Sequence, residues 1–206
     1  MVILDNNLFV RLINNVKILN RERDYISSRK ILNSILEKNP NKQQIIEVYK
    51  ILCLTERKLG NYEAAINAIQ KATNVARILI DEVGTNNVDS YASAIETYAI
   101  CLMNQGVVYD QQGIYLKAIP LYQKANALFR QIYLRNPENP GIFINSLYTL
   151  GMALLNNGNL FEAREIFKES LPLFEENFDG IKELDERYYT IISILKSINE
   201  GLAQTE

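Results

Sequence analysis

The sequence predicts an all-α fold, an α-α solenoid of about four helical hairpins closed by a C-terminal capping helix. Three observations predict it. The chain has 206 residues, 48% of them apolar and 22% charged, enough to bury a continuous core without metals or disulfides. Apolar side chains recur at the 3.6-residue spacing of amphipathic helices along nearly the whole chain. One set of residue columns also returns around three glycines, Gly60, Gly113 and Gly158.

Two residues after each glycine stands a large apolar side chain (Tyr62, Tyr115, Leu160), and five after stands alanine (Ala65, Ala118, Ala163). Nine after come Ile69, Tyr122 and Phe167, and twelve after come Ala72, Ala125 and Ser170. Seven residues before each glycine sits a small side chain (Cys53, Gly106, Gly151), and eleven before stand Tyr49, Leu102 and Leu147. The glycine ends one helix, because a left-handed C-cap costs it nothing. Small side chains let the two helices of a hairpin approach, and large ones fill the space beside them. A fainter copy has Arg23 in the glycine column, followed by Tyr25, Ser28, Leu32 and Ile35.

These columns place the elements in order. The repeats are expected at about 5–40, 41–85, 87–137 and 139–178, with a capping helix at about 180–201. Within them, helices are expected at about 5–21, 24–38, 41–59, 62–83, 89–112, 115–135, 140–157, 160–177 and 181–200. Pro40 closes the first hairpin, "GTNNVDS" links the second to the third, and Pro137 and Pro140 bracket the next link. Pro120 falls near its helix start and is tolerated; Pro172 falls deeper, which predicts a kink or break near Glu169–Leu171. The last segment would cap the stack with its polar face outward, leaving Asp185, Glu186 and Arg187 solvated.

Residues around Gly60, Gly113 and Gly158 resemble the tetratricopeptide repeat family, and "KAIPLYQKA" (117–125) is similar to the longer-helix repeats of kinesin light chains. The resemblance implies that the hairpins stack into a right-handed superhelix. Two features depart from the family. Val16 and Arg23 replace the small residue and glycine of the first copy, and successive turn residues lie 37, 53 and 45 apart rather than about 34. Longer helices absorb the excess, since helical patterning continues through "NVARILIDEV" and "ALFRQIYLR".

Composition argues against chemistry. No histidine occurs, which removes the commonest general base, the commonest metal ligand and every Ser-His or Cys-His nucleophile. Neither GxxxxGK[ST] nor GxGxxG is present. Cys53 and Cys101 form no CxxC pair and sit in apolar helical patterns, so they read as small buried hydrophobes in a reducing compartment. Acidic clusters at 174–179 and 182–186 lack EF-hand spacing and read as solvated helix ends. No enzyme, cofactor or metal site is expected. A net charge of -2 and a pI near 5.4 offer no basic face to nucleic acid. No apolar run is long enough to span a membrane, and the N-terminal stretch, with Asp5 and no basic lead-in, does not read as a secretory signal, so a cytoplasmic setting is expected.

The resemblance implies a non-catalytic protein–protein interaction scaffold whose first helices line a concave groove for a peptide or helical segment. Counting from the turn residues gives four sets: Val10, Ile13, Asn14 and Lys17; Glu47, Lys50, Ile51 and Leu54; Ile100, Met103, Asn104 and Val107; Asn145, Tyr148, Thr149 and Met152. Members that bind chaperone tails hold a carboxylate with Lys, Arg and Asn in these columns. Lys50 and Asn104 match, but Leu54, Asn145 and Thr149 replace the rest, so the co-chaperone reading is rejected. The groove is expected to use Asn14, Lys17, Lys50, Leu54, Met103, Asn104, Val107, Asn145, Tyr148 and Met152. Methionine and tyrosine suit adaptable apolar contacts, while asparagine can bond a peptide backbone. For Val107 and Met152, packing between hairpins is an equal alternative. Two other roles stay open: the sensor part of a peptide-binding transcriptional regulator, and a homodimer associating through an uncovered end or Tyr188 and Tyr189.

Overall fold

Four turns of the chain share one backbone solution. At Arg23, Gly60, Gly113 and Gly158 the backbone is left-handed, with φ of 63°, 77°, 70° and 84°. Each is followed by a residue whose N–H reaches back five residues to a helix carbonyl: Asp24 to Leu19, Asn61 to Glu56, Ile114 to Tyr109 and Asn159 to Leu154, all at 2.8–2.9 Å. The turn residue itself donates to the carbonyl three before it, as Gly60 does to Arg57 at 3.1 Å. This pair of bonds is the Schellman closure, which satisfies carbonyls that a helix end would otherwise orphan. The first copy therefore uses the same turn as the others, with Arg23 standing where glycine is easiest.

The structure, a computed structural model, describes residues 4–85, 87–138, 140–177 and 186–203. Among these residues the chain is all-helical: α1 (Asn6–Arg21), α2 (Tyr25–Leu36), α3 (Lys42–Lys58), α4 (Tyr62–Val83), α5 (Val88–Asp110), α6 (Tyr115–Arg135), α7 (Gly141–Asn156), α8 (Leu160–Asn177) and α9 (Glu186–Ala203). Side-chain caps start α1, α2, α3 and α5, whereas α7 begins at Pro140 without one. Asp5 accepts from Leu8 N–H, Asp24 from Ser27 N–H and Asn87 from Ser90 N–H, while Asn41 and Gln44 form a reciprocal capping box. Helices α4 and α6, which enter directly from the turn, have no side-chain cap.

The chain forms two compact units, Met1–Val108 and Tyr109–Glu206. In unit 1, α1 packs on α2, α2 on α3 and α3 on α4. Its core gathers Val16, Leu32, Ile35, Val48, Cys53, Ala65, Ile69, Ala72 and Cys101. In unit 2, α6 packs on α7, α7 on α8 and α8 on α9, around Tyr122, Phe129, Ile144, Leu147, Phe167, Phe174 and Ile191. Each large side chain so enclosed contributes about 1.5–3 kcal/mol.

The sequence columns coincide with this core. The position five after the turn is wholly buried in every copy (Ser28, Ala65, Ala118, Ala163), as is the position twelve after it (Ile35, Ala72, Ala125, Ser170). Leu160 departs from its column, being 41% exposed. No break occurs at Pro172: α8 is continuous through it. Phe167 and Phe174, both fully buried, anchor the helix on either side, and the proline removes only one main-chain bond. At α9, Glu186 is exposed as expected, but Arg187 is half-buried and engaged; Asp185 lies outside the described residues.

Candidate functional site

In unit 1 the exposed stripes of α3 and α5 face a common groove. Its lower part is a pocket of about 230 Å³ lined by Glu47, Lys50, Ile51, Cys53, Leu54, Arg57 and Asn104. A second pocket, about 470 Å³, shares Glu47 and Lys50 and continues along Gln43, Ser90, Ser93 and Thr97, closed behind by Leu79 and Val83 of α4. From Gln43 to Arg57 the floor runs about 21 Å at a rise of about 1.5 Å per residue. That is room for about six residues of extended chain.

The groove is chemically mixed. Lys50 Nζ lies 3.5 Å from Glu47 Oε2, one turn earlier on α3. Both side chains are partly solvated, so the pair contributes only about 0–1 kcal/mol and can open to a ligand. Leu54, 41% exposed, is an apolar contact beside them, and Asn104 offers both a donor and acceptors. Cys53 forms part of the wall, with Cys101 buried nearby. Burial pushes the Cys53 thiol up to about 11 and the Cys101 thiol up to about 12, so both stay neutral at physiological pH. A neutral buried thiol is neither nucleophile nor metal ligand. No group of three or more Cys, Asp or Glu side chains able to hold a metal gathers among the described residues.

The structure thus brings together Lys50, Leu54 and Asn104 from the expected set. Asn14, Lys17 and Val10 are exposed on α1, whereas Ile13 is buried in the core and is not a surface residue. Ile100, Met103 and Val107 are half-buried on α5 and line neither pocket. In unit 2, Asn145 is exposed on α7, and Tyr148, Thr149 and Met152 are half-buried. Asn145 is not open on every side: Arg187 of α9 donates to its Oδ1 at 3.3 Å while stacking over Phe174 at 5.7 Å. Thr149 spends its hydroxyl on the Asn145 carbonyl at 2.8 Å.

Counting from the turn missed Gln43, Ser90, Ser93 and Thr97. The signal was present: Ser90, Ser93 and Thr97 fall at i, i+3 and i+7 on α5, on the stripe that reaches Asn104 two turns later.

Comparison with known proteins agrees with this architecture. The tetratricopeptide repeat family matches at residues 52–78 and 144–177, sections that include the Gly60 and Gly158 turns. Those two stretches match tetratricopeptide repeats. A structure of nearly identical kinesin light chain TPR-like repeats from Podosopora anserina superposes with a TM-score of 0.70 at 10% identity, covering 94% of this chain and 86% of that one. BtubC (BKLC) from P. vanneervenii superposes with a TM-score of 0.64 at 12% identity, covering 91% and 78%. At such identities the likeness is one of fold. No curated protein matches the sequence. No helix among the described residues is long and apolar enough to cross a membrane. Repeats of this type commonly mediate protein–protein contacts.

Proposed function

We propose that this protein is a non-catalytic interaction scaffold that binds an extended or helical segment of a partner protein along the α3/α5 groove of unit 1. The observation that carries the reading is the convergence of Lys50, Leu54 and Asn104, from two first helices, on one pocket continuous with a hydroxyl-lined second pocket. Lys50 would meet an acidic group once released from Glu47, Leu54 an apolar side chain, and Asn104, Ser93 and Thr97 the peptide backbone. The remaining expected residues, Asn14, Lys17, Met103 and Val107 of unit 1 and Asn145, Tyr148 and Met152 of unit 2, stay in this proposal as further partner-contacting side chains. The chain's acidic balance and lack of histidine support a protein partner over nucleic acid and over catalysis, and its two free thiols support a cytoplasmic setting.

The test is selection of displayed random peptides on the wild-type protein, followed by affinity measurement on a Leu54→Glu, Asn104→Ala variant. Groove ligands are expected to lose at least tenfold, about 1.4 kcal/mol. Selected peptides that bind the folded variant equally well would remove the groove from the proposal.

A further inference from the structure

Hydroxyls inside a helix can turn back on the carbonyls of the preceding turn, and several in this chain do. Thr55 donates to the Ile51 carbonyl at 2.9 Å, Thr73 to that of Ile69 at 2.8 Å and Ser170 to that of Phe167 at 2.7 Å. On α5 the pattern lapses. Among the described residues, the hydroxyls of Ser90, Ser93 and Thr97 have no hydrogen-bond partner, and neither do the side-chain amides of Gln43 and Asn104. All five residues line the α3/α5 groove.

This row bears on the form of the occupant. A helix closes its own N–H and C=O groups and docks by an apolar face into an apolar groove. It would bring nothing to five polar side chains. An extended segment keeps its main-chain donors and acceptors free for them. The spacing suits it as well. Ser90, Thr97 and Asn104 recur every seven residues of α5. That interval is about 10.5 Å along the helix axis, the reach of about three residues of extended chain.

Charge then distinguishes the two ends. The ionisable residues lining the groove are Asp89, Glu47, Lys50 and Arg57. Glu47 and Lys50 neutralise each other in the middle. Asp89, at the start of α5, has no ion pair among the described residues, and Lys42, next to Gln43 in the chain, is held by Glu82. Arg57 lies at the other end, beside Leu54 and Asn104. We propose that the partner segment taken by this groove is extended, held through its main chain on the row of hydroxyls and amides, with a lysine or arginine at Asp89 and an aspartate or glutamate about six residues away at Arg57. The proposal rests on the α3/α5 groove being the binding site, and adds the form and charge pattern of what fills it.

The probes are displayed peptides that the wild-type protein selects and the Leu54→Glu, Asn104→Ala variant loses, resynthesised with fluorescein and followed by fluorescence anisotropy. They should carry a basic and an acidic residue about six positions apart. A Ser93→Ala, Thr97→Ala variant, whose alanines suit a helix, should bind them at least about fivefold more weakly, since two main-chain bonds go. Asp89→Lys should weaken them about two- to fivefold, and exchanging the peptide's basic residue for glutamate should recover that loss. Replacing central peptide residues with α-aminoisobutyric acid, which enforces a helix, should abolish binding. Groove peptides that tighten on that replacement, that ignore the Ser93→Ala, Thr97→Ala change, or whose charges follow no such spacing would overturn the proposal and leave the groove in place. If the Leu54→Glu, Asn104→Ala variant loses none of the selected peptides, the groove itself is wrong and the proposal falls with it.

Discussion

Arg23 is the residue where this chain departs furthest from its own repeat. It holds a left-handed backbone, φ 63°, that glycine adopts without strain and arginine does not. The surrounding Schellman bonds hold it there, as they hold Gly60. Relief of about 1–2 kcal/mol of strain in Arg23→Gly is opposed by the roughly 0.4–1 kcal/mol that glycine adds to unfolded-chain entropy. The net expectation is stabilisation by about 0.5–1 kcal/mol, read as a higher urea midpoint at unchanged slope. The reciprocal Gly60→Arg should destabilise by a similar or larger amount. Loss of stability in Arg23→Gly would mean that the arginine side chain supports the turn in a way its exposed position does not suggest.

Helix packing was the part most legible in the sequence, because its signal is volume at fixed spacing. Gly151 on α7 and Phe167 on α8 show why the small and large columns travel together. A Cβ at Gly151 would lie 2.5 Å from Phe167 Cε1, and Phe167 is fully buried with nowhere to move. Gly151→Ala is therefore expected to cost about 1–3 kcal/mol by overpacking, despite alanine's roughly 1 kcal/mol advantage inside a helix. At Gly201 on α9, where nothing lies within 4 Å, the same change should be neutral or stabilising. Thermal melts of the two variants decide it, and a Phe167→Leu background should relieve the first effect. Less legible was whatever depends on contacts distant in sequence. Arg187 reaches Asn145 across 42 positions, and no local pattern announces that bond. The Ser90–Ser93–Thr97 stripe was missed for a different reason: α5 extends about three turns ahead of Ile100, where the counting from Gly113 stops. Pro172 was misread because a local breaker was weighed without the two buried phenylalanines that hold its helix together.

For the whole molecule, the repeat explains both how much could be read and where reading stopped. Each hairpin solves the same packing problem, so its core columns carry the fold, while partner choice resides in exposed stripes that packing leaves unconstrained. One property of the entire chain is nevertheless set by composition. With no histidine, no side chain of ordinary pKa titrates between about pH 6 and 8. Below that window, Asp24 is held under its usual range by hydrogen bonds from Ser27, and Glu165 by those from Lys168 and Arg164. Folded-state values so depressed add stability above the ordinary carboxylate pKa, and that stability is lost as pH falls through the folded values. Above the window the buried thiols act in the opposite sense. Their folded values, about 11 and 12, exceed the ordinary 9.0, so the stability from keeping them neutral is complete below pH 9 and is lost as pH rises toward 11–12. Stability should therefore form a plateau, varying by less than about 0.5 kcal/mol between pH 6 and 8 and falling on both sides. Replacing both cysteines with alanine should shallow the alkaline limb alone. A step larger than about 1 kcal/mol inside the plateau would require a carboxylate or lysine displaced by several pH units. Such a group would mark a buried charge in a chain whose described structure otherwise keeps its ionised side chains paired or near solvent.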